Sequence, residues 1–206
     1  FYQRIVQLLK ENNIDLLNGA LGLGKYFLKR KKYDAIYILI KHLNDIKLSI
    51  DDEIKWRRQN WKNKEEYFYD FSLAHGITGI IAFLIECVGN NVHTELALPL
   101  VKGGIKFLLN NQQKFEIAGS DFPSKIFCEN YIKGNNEYSQ SRLAWCYADL
   151  GIWYTIYNAS EVLNDSHLKQ KAINGFLRNA KRRTLDQTSV VDPGFCHGTI
   201  GIAQIY

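Results

Sequence analysis

Apolar positions along this chain fall into pairs of segments with different periodicity. In each pair the first segment is apolar nearly all round and follows a Gly-x-x-Gly-like step, whereas the second carries charge on one face. An all-round apolar pattern predicts a helix buried inside the protein, and a one-faced pattern predicts its outer neighbour. The step Gly19–Gly22 leads into residues 23–28, followed by an amphipathic partner at 34–43. Gly76–Gly79 leads into 80–88, then 95–109 with Pro99 near its start; Ala148–Gly151 leads into 152–157, then 167–182. Gly198–Gly201 opens a fourth unit (Ile200, Ile202, Ala203, Ile205, Tyr206) that runs to the last residue without a helix stop signal.

A constant local unit at irregular spacing predicts helix pairs joined by loops of variable length. Inner helices enclosed by outer ones describe an all-α fold, an α/α toroid, with the starts of the inner helices gathered at one end. No stretch sustains period-2 alternation between hairpin turns, so a sheet is not expected. Residues 55–71 and 114–140 read as polar and aromatic loops that cap or line the central mouth. The expectation is a single domain over residues 1–206, holding about four inner-helix repeats of an incomplete ring. With a start at Phe1 and an end inside an apolar pattern, the expectation is an internal piece of a longer chain.

Composition narrows the class. The chain has 206 residues, 46% of them hydrophobic, enough for one sizeable core. No apolar run reaches the roughly 18 residues of a membrane span, and no signal peptide opens the sequence. Four cysteines are too sparse for a disulfide framework and fit a reducing, cytoplasmic setting. The net charge of +5 comes from scattered Lys and Arg, with small clusters at 29–32 and 181–183. Both clusters fall at predicted helix ends, where cations complement the helix dipole, so they read as solvated ends and not as a nucleic-acid patch.

Candidate chemistry collects at the steps themselves. Cys146, Cys196 and His197 stand immediately before helix starts. Zinc takes thiolate and imidazole ligands, and three protein ligands leave a fourth position for water or substrate. Buried, inert thiols are the bland alternative, since free Cys is among the most buried residue types. His75 occupies the corresponding place in its own repeat with no Cys beside it. It is compatible with a fourth ligand, a general acid or base, or a structural histidine. Cys87 lies deep in an apolar helix and reads as core, and Cys128 carries no assignment. The run Gly19–Lys25 has the spacing of a phosphate-binding loop. Tyr26 stands where Ser or Thr would hold magnesium, and residues 11–18 do not read as a strand, so no nucleotide site is expected.

Four motifs together resemble the lanthionine synthetase C-like family, the cyclases of lanthipeptide biosynthesis. They are Asp15-Leu16-Leu17-Asn18-Gly19, Ser72-Leu73-Ala74-His75-Gly76, Ser141-Arg142-Leu143-Ala144-Trp145-Cys146-Tyr147 and Cys196-His197-Gly198. The resemblance spans nearly the whole chain and implies an α/α toroid. It implies that Cys146, Cys196 and His197 bind Zn2+, with His75, Asp15, Arg142 and Tyr147 around the metal as acid–base and supporting residues. One departure is Ala148, where the family usually has Gly; its methyl group bears on local packing more than on metal binding.

The implied reaction is addition of a peptide cysteine thiol to dehydroalanine or dehydrobutyrine, closing a lanthionine or methyllanthionine ring. A dehydrated precursor peptide is the implied partner, with a dehydratase and an exporter as further partners in a biosynthetic complex. That places the protein in the cytoplasm or at the membrane periphery through those partners. The rival readings are a non-catalytic zinc-containing scaffold that binds peptides, and a zinc enzyme adding a small thiol such as glutathione to an electrophile. A toroidal carbohydrate- or isoprenoid-processing enzyme would lean on paired carboxylates, and none is evident beside the Cys/His set.

Overall fold

The structure, a computed structural model, describes residues 2–134 and 138–206. Among them the chain forms helices α1 (Tyr2–Lys10), α2 (Ala20–Lys29) and α3 (Tyr33–Ile46), then strands β1 (Leu48–Ile50), β2 (Glu53–Lys55), β3 (Arg58–Gln59) and β4 (Tyr67–Asp70). Helices α4 (Ile77–Gly89), α5 (Thr94–Asn110) and α6 (Phe115–Ala118) follow, then β5 (Lys125–Phe127) and α7 (Cys128–Lys133). The last third is helical: α8 (Ala148–Leu163), α9 (Ser166–Asn179), α10 (Leu185–Thr188) and α11 (Thr199–Ile205). No helix among the described residues is long and apolar enough to cross a membrane.

The predicted inner and outer helices are present as pairs: α2 packs on α3, α4 on α5, and α8 on α9. The inner helices are neighbours in turn, α2 against α4, α4 against α8 and α8 against α11, which is the arc of an α/α toroid. Helix α4 is buried nearly all round, whereas α9 buries only Leu168, Ala172, Gly175 and Asn179, one stripe at helical spacing. That stripe is small because Trp153 of α8 lies against it. A Cβ on Gly175 would fall 2.2 Å from the indole.

A single contact explains the second glycine of each step. A Cβ on Gly22, Gly79, Gly151 or Gly201 would strike the carbonyl oxygen of Leu16, Leu73, Trp145 or Phe195, at 2.6, 2.4, 2.1 and 1.9 Å respectively. In all four units the loop before the inner helix folds back over the helix's first turn, and only hydrogen fits between. Those loops are also stitched to one another. Leu16 N–H donates to the Ala74 carbonyl at 3.2 Å, Leu73 N–H to the Cys146 carbonyl at 3.1 Å, and the Trp145 indole N–H to the Phe195 carbonyl at 2.6 Å. Equivalent residues of successive repeats thus join hands, and the loops carrying the Cys and His residues meet at one rim.

Two expectations need correction. Residues 55–71 and 114–140 are not loops throughout, since short antiparallel sheets form there and just before. Strands β1 and β2 pair as a hairpin, while β3, β4 and β5 make a sheet with Arg58 opposite Phe68 and Phe68 opposite Phe127. Strands of two to four residues are too short to reveal alternation in sequence. Residues 135–137 of the second predicted loop lie outside the described residues. The basic run at 181–183 is also not a simply solvated helix end, because Arg182 is buried. Its guanidinium donates to Asp149 at 3.2 Å and to the Ser141 and Gln187 carbonyls.

Asp149 in turn accepts the backbone N–H groups of Asp121 and Phe122. Asp121, also buried, accepts from Arg178, Trp153 and Asn179. Burial, then the Asp121 charge, pushes Asp149 up to about 7, while those backbone N–H groups and Arg182 pull the other way. This network fixes the segment that delivers Arg142 and Cys146 to the rim.

Candidate metal centre

Each unit presents the same loop positions just ahead of its inner helix. The position two before the first step residue holds Leu17, Ala74, Cys146 and Cys196 in the four repeats; the next holds Asn18, His75, Tyr147 and His197. Repeats three and four therefore supply thiols and an imidazole, and repeat two supplies a histidine alone.

Cys146, Cys196 and His197 converge: one ligand atom from each lies within 4.8 Å of the others. Cys146 is buried, Cys196 and His197 half-buried. Ala74, Ala144 and Trp145 pack around the thiols and keep the pocket apolar. His197 Nδ1 is buried with no hydrogen-bond partner among the described residues, as a ring nitrogen aimed at a cation would be. Its Nε2 lies 3.9 Å from Asp192 Oδ2, the usual companion of a metal-bound imidazole. In the protein alone, burial first and then the Cys196 thiol push Cys146 up to about 12. A divalent cation among these donors would reverse that and hold both sulfurs as thiolates. The donor set fits zinc, with three ligands and one position left over.

His75 and Asp15 form a second group on the same rim. His75 Nδ1–H donates to Asp15 Oδ2 at 2.5 Å, a bond made between repeats one and two. Asp15 Oδ1 accepts the Leu17 and Asn18 N–H groups at 2.7 and 2.9 Å, so the carboxylate is fixed before it meets the imidazole. With Nδ1–H committed to a carboxylate, Nε2 is the atom free to exchange a proton. The ring borders an open cavity of about 440 Å³.

Arg142 and Tyr147 flank the Cys/His group. Arg142 Nη2 is 3.4 Å from Asp192 Oδ2, and its Nε is buried without a partner among the described residues. Its positive charge favours the ionised forms of Cys146 and Tyr147. The Tyr147 hydroxyl is pushed up by burial first, then by Cys146, Cys196 and Asp70. Tyr147 therefore senses both the thiol pair and a residue beside His75.

Three residues of this region escaped the sequence reading. Asp192 serves Arg142 and His197 through Oδ2, while its Oδ1 accepts the Gly194 N–H at 2.7 Å. Asp70 does the same two repeats earlier: Oδ1 accepts the Ser72 N–H at 2.9 Å, and Oδ2 faces Arg58 at 3.2 Å. Both aspartates stand six residues before the first glycine of their step, a spacing that was visible. Arg58, on β3, had no such signal. Lys25, the lysine of the phosphate-loop-like run, lies inside α2 and pairs with Glu86.

Fold and site together define an α/α toroid that brings two thiols, two histidines and their aspartates to one rim. The model of the lanthionine synthetase C-like protein family matches residues 1–206, and the chain belongs to that family. It also superimposes on a solved structure described as nisin cyclase, with a TM-score of 0.81 at 18% sequence identity. The match covers 100% of this chain and 55% of that one, so the chain spans little more than half the length of its structural neighbour.

Proposed function

We propose that the protein is a zinc-dependent lanthipeptide cyclase that adds peptide cysteine thiols to dehydroalanine or dehydrobutyrine. The observation that carries this reading is the convergence of Cys146, Cys196 and His197 within 4.8 Å, beside a histidine already bound to an aspartate. Cys146, Cys196 and His197 would hold the zinc, which when bound supplies the positive charge that keeps a substrate thiol ionised near neutral pH.

The remaining work falls to side chains. As the sulfur–carbon bond forms at the β-carbon of the dehydro residue, the electrons of the double bond move toward the carbonyl and leave an enolate. His75 Nε2 delivers the proton that the α-carbon needs, and Asp15 keeps the ring aimed through the bond to Nδ1–H. Arg142 offsets the growing negative charge with a guanidinium that the protein has already paired and oriented. Tyr147, with its hydroxyl held protonated, donates a hydrogen bond into the same space. The substrate is a dehydrated precursor peptide, and a dehydratase and an exporter are the partners that this chemistry adjoins.

His75→Asn tests the reading. Ring closure is followed by alkylating the thiols that remain free in a dehydrated peptide. With zinc content unchanged, the variant should close rings about 100-fold more slowly or worse. Undiminished ring closure would overturn the role of His75. Peptide bound without ring closure by the unaltered protein would favour a scaffold.

A further inference from the structure

We propose that Arg58 is a positioning residue for the His75–Asp15 pair, an inference that rests on His75 being the proton donor. Arg58 lies on β3, in the hairpin that the sequence showed only as a polar loop. Its Nη1 donates to Asp70 Oδ2 and to the backbone carbonyl of His75, both at 3.2 Å. Its Nη2 lies 3.9 Å from Asp15 Oδ2, the same oxygen that accepts the His75 Nδ1–H. One guanidinium therefore touches the main chain of the histidine, flanks the carboxylate that orients its ring, and neutralises a second carboxylate beside them.

The arrangement does a specific job. Asp15 and Asp70 come from different repeats and face the same cation, so without Arg58 two carboxylates would repel across the cavity. Asp70 is itself tied to the His75 loop, since its Oδ1 accepts the Ser72 N–H and Ser72 Oγ accepts the His75 N–H at 3.1 Å. Arg58 closes this circuit from the outside, and its fork of N–H donors suits three oxygens in different directions. Repeat four has a parallel: Arg142 on Asp192 beside His197. Each rim histidine thus has an Asp–Arg pair behind it, one at the candidate metal group and one at the candidate acid.

Arg58 is half-exposed, so its replacement leaves no hole in the core. The test uses the whole zinc-loaded protein and compares Arg58→Gln and Arg58→Lys with the unaltered chain. The first readout is the proton resonance of the His75 Nδ1–H, which a short charge-assisted bond to a carboxylate moves far downfield. Arg58→Gln should weaken or lose that signal, and Arg58→Lys, which keeps the charge, should retain part of it. The second readout is ring closure: Arg58→Gln should lower kcat about tenfold with KM and zinc content nearly unchanged. An unaltered resonance in Arg58→Gln overturns the positioning role whatever the activity does. A lost resonance with undiminished ring closure leaves the positioning role standing and removes His75 as proton donor. A rise in KM at constant kcat would make Arg58 a substrate-binding residue and contradict the proposal.

Discussion

His75 and His197 occupy the same loop position in different repeats, yet their surroundings fit them for different work. The His75 ring spends Nδ1–H on Asp15, which leaves Nε2 for proton exchange. His197 keeps an unpartnered Nδ1 in the buried space beside the two thiols and turns Nε2 toward Asp192. Neighbouring side chains, not backbone placement, separate the proposed acid from the proposed metal ligand. Ala148 shows the opposite case, where the backbone yields. At the equivalent glycines the backbone is extended, and a Cβ on Gly76 or Gly198 would come within 2.1 or 2.3 Å of the preceding loop. Ala148 instead has a φ of 31°, which an L-residue adopts at a cost. Ala148→Gly should therefore raise stability by about 1 kcal/mol in urea denaturation, with zinc binding retained. A loss of stability would show that the alanine conformation is not strained.

At the scale of elements, the repeating device is a loop folded onto the first turn of a buried helix. Gly79→Ala puts a methyl group 2.4 Å from the Leu73 carbonyl, in backbone that has no flexible end to move aside. It should destabilise the protein by about 1–3 kcal/mol. Gly89, at the far end of the same helix, is the control: a Cβ there meets only Val162 at 3.6 Å, so Gly89→Ala should be neutral or mildly stabilising. Equal effects at both positions would contradict the account of the step. These helices were readable because all-round apolar and one-faced segments alternate, and each predicted core segment lies inside or across an observed helix. Helix α1 was not singled out, and β1 to β5 were missed because two to four residues carry no period. Arg182 was misread because a buried arginine within a basic run looks like its solvated neighbours until Asp149 is seen opposite it.

At the scale of the whole molecule, the site exists only because four units are joined rim to rim. Asp15 comes from the first, His75 from the second, Arg142, Cys146 and Tyr147 from the third, and Cys196 and His197 from the fourth. The thiols and histidines were legible one by one, since their residue types repeat beside glycines. Asp70 and Asp192 shared a visible spacing ahead of their glycines but no visible partner, and Arg58 had neither, because a lone charge declares no partner until the chain is folded. Everything proposed for the site requires that the third and fourth units close on a metal. Zinc content of the intact protein, compared with Cys146→Ala, tests it most directly. About one zinc per chain is expected in the unaltered protein, and none in the variant. A folded, unchelated sample without metal, or a variant that keeps its zinc, would contradict it.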